Sequence, residues 1–102
     1  MRAEFHPSAL EEYTEAAAHY AAIRDDLAEE FLQEMEHGIA RILEYPHAWP
    51  VIDQDARRYV LKRFPYGVYY RVVDEDTIFV VAVMHQKRRP GYWRHRLTEI
   101  GP

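Results

Sequence analysis

The stretch RRYVLKRFPYGVYYRVVDEDTIFVVAVM, residues 57–84, decides the fold. It holds three runs, RRYVLKRF (57–64), GVYYRVV (67–73) and TIFVVAVM (77–84), rich in the β-branched and aromatic residues that pack well on a pleated surface. Pro65 and Gly67 punctuate the first break, and Asp74, Glu75 and Asp76 form a tight turn at the second, so the last two runs predict a hairpin. Period-two alternation sets Arg58, Val60 and Lys62 against Tyr59 and Leu61, and Tyr69 and Arg71 against Val68, Tyr70 and Val72. The third run is apolar on both faces, as expected of a central strand covered on two sides.

Outward from this block, RAEF (2–5) can open the chain as a short strand before Pro7, whose fixed φ suits the first turn of a helix. Leu10, Tyr13, Ala17 and Tyr20 recur at helical steps with Glu11, Glu12 and Glu15 on the other side, which predicts an amphipathic helix over 9–20. IRDD (23–26) interrupts it. Asp26 with Glu29 three residues on has the spacing of a capping box, and Leu27, Phe31, Met35, Ile39 and Ile42 then form one stripe that ends before Pro46. So short a break predicts an antiparallel helix hairpin. PHAWPVIDQDA (46–56) has two prolines and no sustained period, and reads as a loop. The expected order is β-α-α-β-β-β, an α+β two-layer arrangement in a single domain over 1–102 with a mainly antiparallel sheet. One sheet face should carry the helices. The other should display Arg58, Lys62, Tyr69 and Arg71, with Phe64 and Tyr70 in the core and Trp93 anchoring the core edge.

The formal net charge of −4 conceals a segregation. Between Glu4 and Glu44 there are eleven carboxylates against Arg24 and Arg41, whereas Arg57, Arg58, Lys62, Arg63 and Arg71 face no acid between them. The closing stretch HQKRRPGYWRHR (85–96) adds Lys87, Arg88, Arg89, Arg94 and Arg96, again unopposed in sequence. Such a distribution steers anionic partners toward the second half. The glutamates of the helices read as a solvated outer face.

Other chemistries find no support in the residues. Cysteine is absent, which removes disulfides, thiolate metal sites and cysteine nucleophiles. The six histidines are scattered without metal-ligand spacing, and there is neither a Gly-rich phosphate loop nor a GxSxG motif, so no metal and no cofactor is expected. The start lacks an apolar stretch of signal-peptide length, and the longest apolar run, 78–84, is too short to span a bilayer. A soluble cytoplasmic protein with no membrane partner is the expectation.

The opening Phe5, Pro7, Ala9, Glu12, Glu15, Ala16 and Tyr20, the strands RRYVLKRFPYGVYYRV (57–72) and the closing HQKRRPGYWRHR resemble the RelE/ParE superfamily of toxins from bacterial type II toxin–antitoxin modules. The likeness covers nearly the whole chain. It implies one of two activities: RelE-type members cleave mRNA in the ribosomal A site, and ParE-type members inhibit DNA gyrase and are not nucleases. Cleavage would use the RNA 2′-OH as nucleophile and ask the protein for a base, an acid and cations at the phosphate.

Arg58 falls where the nucleases have a basic residue on the first long strand, Lys87 and Arg89 where they have C-terminal cations, and Tyr92 near their C-terminal tyrosine. The His85 and Tyr92 pair is similar to relatives that use both residue types there. A further strand lysine is matched by Val60 and an arginine by Gly67, and Arg71 and Lys62 are the expected substitutes. The resemblance thus implies a metal-independent, ribosome-dependent mRNA endoribonuclease with Arg58, Lys62, Arg71, His85, Lys87, Arg89 and Tyr92 as its catalytic set. The alternatives are a gyrase inhibitor without nuclease activity and an inactive, protein-binding relative. The implied partners are a cognate antitoxin, whose acidic or amphipathic segment covers the basic face, and either the ribosome with mRNA or DNA gyrase.

Overall fold

A computed structural model describes residues 1–88 and 91–99. The elements run β1 (Arg2–Phe5), α1 (Pro7–Ile23), α2 (Asp25–Glu44), β2 (Val51–Asp53), β3 (Ala56–Val60), β4 (Tyr66–Asp74) and β5 (Thr77–His85), followed by a 3-10 turn, Arg94–Glu99. The strands form one sheet in the order β1-β5-β4-β3-β2. Only β1 is parallel to its neighbour, β5; the remaining pairs are antiparallel. The α+β two-layer expectation holds, with one strand added.

Each helix starts by a different device. At α1, Pro7 occupies the first turn and the Nδ1 of His6 accepts the Ser8 N–H at 3.0 Å, which satisfies one of the otherwise unpaired N–H groups. At α2 the cap is Arg24, with no side-chain cap bond. The expected Asp26 capping box does not form, because the Asp26 carboxylate accepts instead from Arg24 Nε at 2.6 Å. Asp25 and Asp26 still lie in the first turn, where negative charge favours the helix dipole.

The helix stripe is also turned slightly from the expected one. In α1 the buried residues are Ala9, Ala16 and Tyr20, while Leu10 is 52% exposed. In α2, Phe31, Met35 and Ile42 are fully buried as expected. Gly38 lies where an added Cβ would meet the Tyr59 ring at 2.7 Å, so a side chain there would push the helix off β3.

Two boundaries differ from the sequence reading, for identifiable reasons. Val51–Asp53, within the expected loop, pairs with β3 as a three-residue edge strand, and Pro50 O accepts the Arg58 N–H at 3.1 Å. Three residues behind a proline are too few to show a period of two. Conversely, the run expected to continue to Phe64 leaves the strand after Val60, and Leu61 N–H returns to Tyr66 O at 2.9 Å. Lys62 is therefore exposed in a turn, not on the strand face beside Arg58. The hairpin of β4 and β5 forms as expected, its turn closed by Asp74 Oδ1 accepting the Asp76 N–H at 2.8 Å.

The two sheet faces bury different cores. Under the helices lie Tyr20, Phe31, Met35, Phe64, Val68, Tyr70 and Val80 among others. On the second face Ala56, Tyr69, Val81, Ala82 and Met84 are covered by Trp93 and Leu97 of the closing segment. The expectation of an open basic face is corrected here: Tyr69 is only 2% exposed, because Trp93 packs against it with ring centroids 5.5 Å apart. Trp93, at 1% exposure, is the anchor it was expected to be.

Candidate functional site

On the second face the strand register places Arg58 of β3 beside Tyr69 of β4, which pairs with Ala82 of β5. Arg58 faces a cleft of about 280 Å³ walled by Ile52, Asp53, Tyr69, Met84 and Trp93 and rimmed by Gln86, Arg88, Gly91 and Arg94. The Nε of Arg58 is buried without a hydrogen-bond partner. Among the described residues no carboxylate lies within ion-pairing distance of its guanidinium. The Trp93 indole N–H is likewise buried and unpartnered. Of the charges lining the cleft, Asp53 is paired with Arg94, while Arg58 and Arg88 carry no ion pair among the described residues, a balance that favours an anion at the open side.

Other cations of the closing half have partners within the chain, carboxylates for Arg94 and Arg71 and backbone carbonyls for Arg57. Arg94 Nε donates to the Asp53 carboxylate, and Arg71 Nη2 lies 2.8 Å from Asp55 Oδ2. Asp53 ends β2 and Asp55 lies in the turn to β3, beside Gln54 with its positive φ of 51°. Arg57 Nη1 donates to Trp49 O at 2.7 Å and to His47 O at 3.1 Å.

A second cluster lies at the edge of β5. Because β1 pairs only with Thr77–Val80, the rest of β5 has no strand on that side. Glu12 of α1 fills the gap: Oε1 accepts the Val83 N–H at 3.1 Å, and Arg96 donates to both oxygens at 3.0 and 3.1 Å. Arg96 also donates to Val81 O at 3.0 Å. The side chains of this pair are only 9% and 12% exposed, so Glu12 does not belong to the solvated helix face.

Tyr92 OH donates to Glu12 Oε2 at 2.5 Å, and its ring lies between the guanidiniums of Arg88 and Arg96, 4.2 and 5.0 Å from the centroid. Burial, reinforced by the bond to Glu12, pushes the Tyr92 hydroxyl well above the ordinary phenol range. It is held protonated as a donor to Glu12.

The seven residues named from sequence are thus distributed over several places. Arg58 faces the cleft; Tyr92 belongs to the edge cluster; Lys62 stands in the turn after β3. Arg71 is paired to Asp55, at its half-exposed end of the sheet. His85 packs edge-on against Tyr66, 5.2 Å between ring centres, and its Nδ1 accepts the Lys87 N–H at 3.0 Å. Lys87 is exposed, and Arg89 lies outside the described residues. Arg88, Arg94, Asp53 and Glu12 escaped the sequence reading as site residues. The acids lie far in sequence from the cations they meet, so no local pattern announced them.

At Gly67 an added Cβ would meet Gln86 Nε2 at 2.7 Å. Gln86 also donates to the Tyr69 hydroxyl at 3.3 Å, so the place where the resemblance would put an arginine is filled by an amide. Among the described residues no group of three or more His, Asp or Glu is placed to hold a metal, and no helix is long and apolar enough to cross a membrane.

With this geometry in view, the comparisons with known proteins agree. A family model described as the ParE toxin of the type II toxin–antitoxin system, parDE, matches residues 3–90. Toxin ParE1 of Mycobacterium tuberculosis is 36% identical over 63 residues, 61% of this chain and 64% of that protein, in both strains CDC 1551 / Oshkosh and ATCC 25618 / H37Rv. The match thus spans less than two thirds of those relatives' length. Among solved structures, a chain of the chromosomal ParDE system of P. aeruginosa superposes with a TM-score of 0.71 at 16% identity, covering 83% of this chain and 95% of that one. The isolated E. coli RelE toxin superposes with a TM-score of 0.59 at 21% identity over 97% of both chains. These two likenesses carry the fold. With the family match over most of the chain, they place this protein in the RelE/ParE superfamily, as a member of the ParE toxin family of type II toxin–antitoxin systems.

Proposed function

We propose that this toxin acts as ParE-type members of the superfamily do, by binding and inhibiting DNA gyrase without cutting RNA, and that a protein antitoxin neutralises it. The observation that carries this reading is the state of the acid–base candidates. RNA cleavage needs a group that takes a proton from the 2′-OH and another that gives one to the leaving oxygen. The Tyr92 hydroxyl is committed to Glu12 with its ionisation suppressed, and the Nδ1 of His85 is occupied by a backbone N–H. Neither side chain lines the cleft that holds Arg58.

The cleft also lacks a stacking platform. Its aromatic residues, Tyr69 and Trp93, are buried against each other, whereas single-stranded RNA readers splay bases onto exposed rings. One observation favours the alternative, the ribosome-dependent endoribonuclease: among the described residues Arg58 is a cation without a counter-ion, as a phosphate site requires.

Purified protein added to a gyrase supercoiling assay tests the choice, with primer-extension mapping of mRNA ends in induced cells beside it. Loss of supercoiling with unchanged mRNA ends is the expected outcome. New ends inside translated codons that vanish when translation is blocked would replace gyrase with the ribosome as the target.

A further inference from the structure

We propose that the groove between α1 and the open edge of β5 takes a short, extended protein segment rich in lysine or arginine, which adds to the sheet as a strand. The proposal goes beyond the toxin reading above and does not depend on it.

The backbone carries the first half of the argument. β1 pairs with β5 only from Thr77 to Val80, so the edge from Val81 to His85 has no strand beside it. Gln86 N–H donates to Pro65 O on the β4 side, whereas Val83 N–H donates the other way, to Glu12 Oε1. Backbone groups alternate in direction along a strand, so Val83 C=O and His85 N–H point to the same open side as Val83 N–H. The edge is guarded only in part. Glu12 takes Val83 N–H, Arg96 donates to Val81 O, and Arg88 N–H turns back onto His85 O. What is left is Val83 C=O and His85 N–H, two residues apart, the acceptor and donor that a single residue of a parallel strand engages. A segment placed there would continue the parallel sense of β1 from the point where β1 leaves the sheet, and an edge with free groups is a template for such an addition.

The lining carries the second half. Two adjoining hollows of about 220 and 210 Å³ flank this edge and share Glu12, Glu15 and Arg88. The buried apolar residues of the lining, Ala16 and Val83, are small and leave room for a backbone. Along the α1 rim stand Glu11 and Glu15, exposed and without an ion pair among the described residues. Of the cations in the lining, Arg96 is paired with Glu12, and Arg88 lies over the Tyr92 ring at 4.2 Å. One unpaired cation against two unpaired carboxylates gives this groove the opposite balance to the Arg58 cleft. It therefore favours a cationic segment and disfavours an acidic one. Arg96, itself only 8% exposed, also has an Nε without an acceptor, so the lining is short of the oxygens that a peptide backbone brings.

The test is an NMR titration of the full ¹⁵N-labelled chain with a short acetylated peptide of alternating Lys and Val, following the Val83 and His85 amide signals. The comparisons are a Glu/Val peptide and a Lys/Val peptide methylated at every backbone nitrogen, which keeps the charge and removes the strand donors. Saturable movement of the His85 amide with the unmethylated Lys/Val peptide alone is the expected result. Combining Glu11→Lys with Glu15→Lys should weaken it about tenfold. Both glutamates are exposed, and unchanged dispersion of the buried Val68 and Val80 signals shows that the variant still folds.

An unmoved His85 amide, or equal affinity for the Glu/Val peptide, would overturn the proposal. Equal affinity for the methylated peptide would reduce the contact to charge and overturn the strand addition, and equal affinity for the variant would overturn the role of the rim. Movement of the same signals on raising the protein concentration alone would give the edge to a second copy of this chain, and overturn the assignment to a basic partner.

Discussion

Arg96 and Arg58 lie over different strands of the same buried sheet face and are treated in opposite ways. At the β5 edge, Arg96 donates to both oxygens of Glu12 and to Val81 O, and Glu12 in turn accepts from Val83 and Tyr92. Beside β3, Arg58 faces a cleft whose one carboxylate, Asp53, is paired with Arg94, and Arg58 itself has no ion pair among the described residues. The difference shows why a count of cations does not measure a binding surface. Arg71, Arg94 and Arg96 are occupied by Asp55, Asp53 and Glu12, whereas Arg58 and Arg88, which share the cleft, have no ion pair among the described residues.

The sharpest way to break the comparison is Glu12→Gln. It leaves the Arg96 charge buried with a neutral partner and turns one of the two oxygens that accept from Val83, Arg96 and Tyr92 into an NH2 donor, and should cost about 3–5 kcal/mol in urea unfolding. An effect below about 1 kcal/mol would mean that the edge is hydrated in solution. Replacing both partners, Glu12→Leu with Arg96→Met, should recover most of that loss, because apolar residues carry no desolvation penalty. If the double variant is as unstable as the single one, the pair holds the edge through shape and not through its charge.

Alkaline titration compares the same edge with the helix face. Burial raises Tyr70 to about 12, partly offset by Arg57, and its hydroxyl donates to Pro46 O at 2.7 Å. Tyr92 is raised further, again first by burial. A raised folded-state pKa contributes stability that is complete below the unfolded value of 10.0 and is lost as pH rises through the folded one. Stability should therefore fall between pH 10 and 12. In ultraviolet difference spectra Tyr70 and Tyr92 should ionise last, and Tyr92→Phe should remove the slowest-titrating phenol without altering Tyr70. The smallest effect is expected at the cleft: Arg58→Gln breaks no ion pair and should shift unfolding by no more than about 0.5 kcal/mol. A loss of several kcal/mol there would reveal a partner for Arg58 inside the chain.

Much of the architecture was legible because the relevant signals are local. Pro7, the helical spacing of Phe31, Met35 and Ile42, and the Asp74–Asp76 turn each act within a few residues, and the elements formed where they pointed. The uninterrupted apolar run of β5 announced a strand covered on both faces inside the sheet. β2 escaped because an edge strand of three residues behind Pro50 has no room for alternation. Leu10 failed as a core residue because α1 packs against the sheet through its small side chains, Ala9 and Ala16, a choice that helical spacing alone does not make.

The candidate site was less legible for a reason of distance. Arg58 can be singled out in the sequence as a strand cation, but Glu12 meets Arg96 across 84 positions and Asp53 meets Arg94 across 41. By itself the sequence determined both helices, the long strands, the segregation of charge and the family, since these rest on short-range pattern and composition. Tertiary structure alone decided which charges cancel. Ion pairing depends on separations of a few ångströms and on burial, and both arise only when the closing segment folds Trp93 and Leu97 onto the sheet.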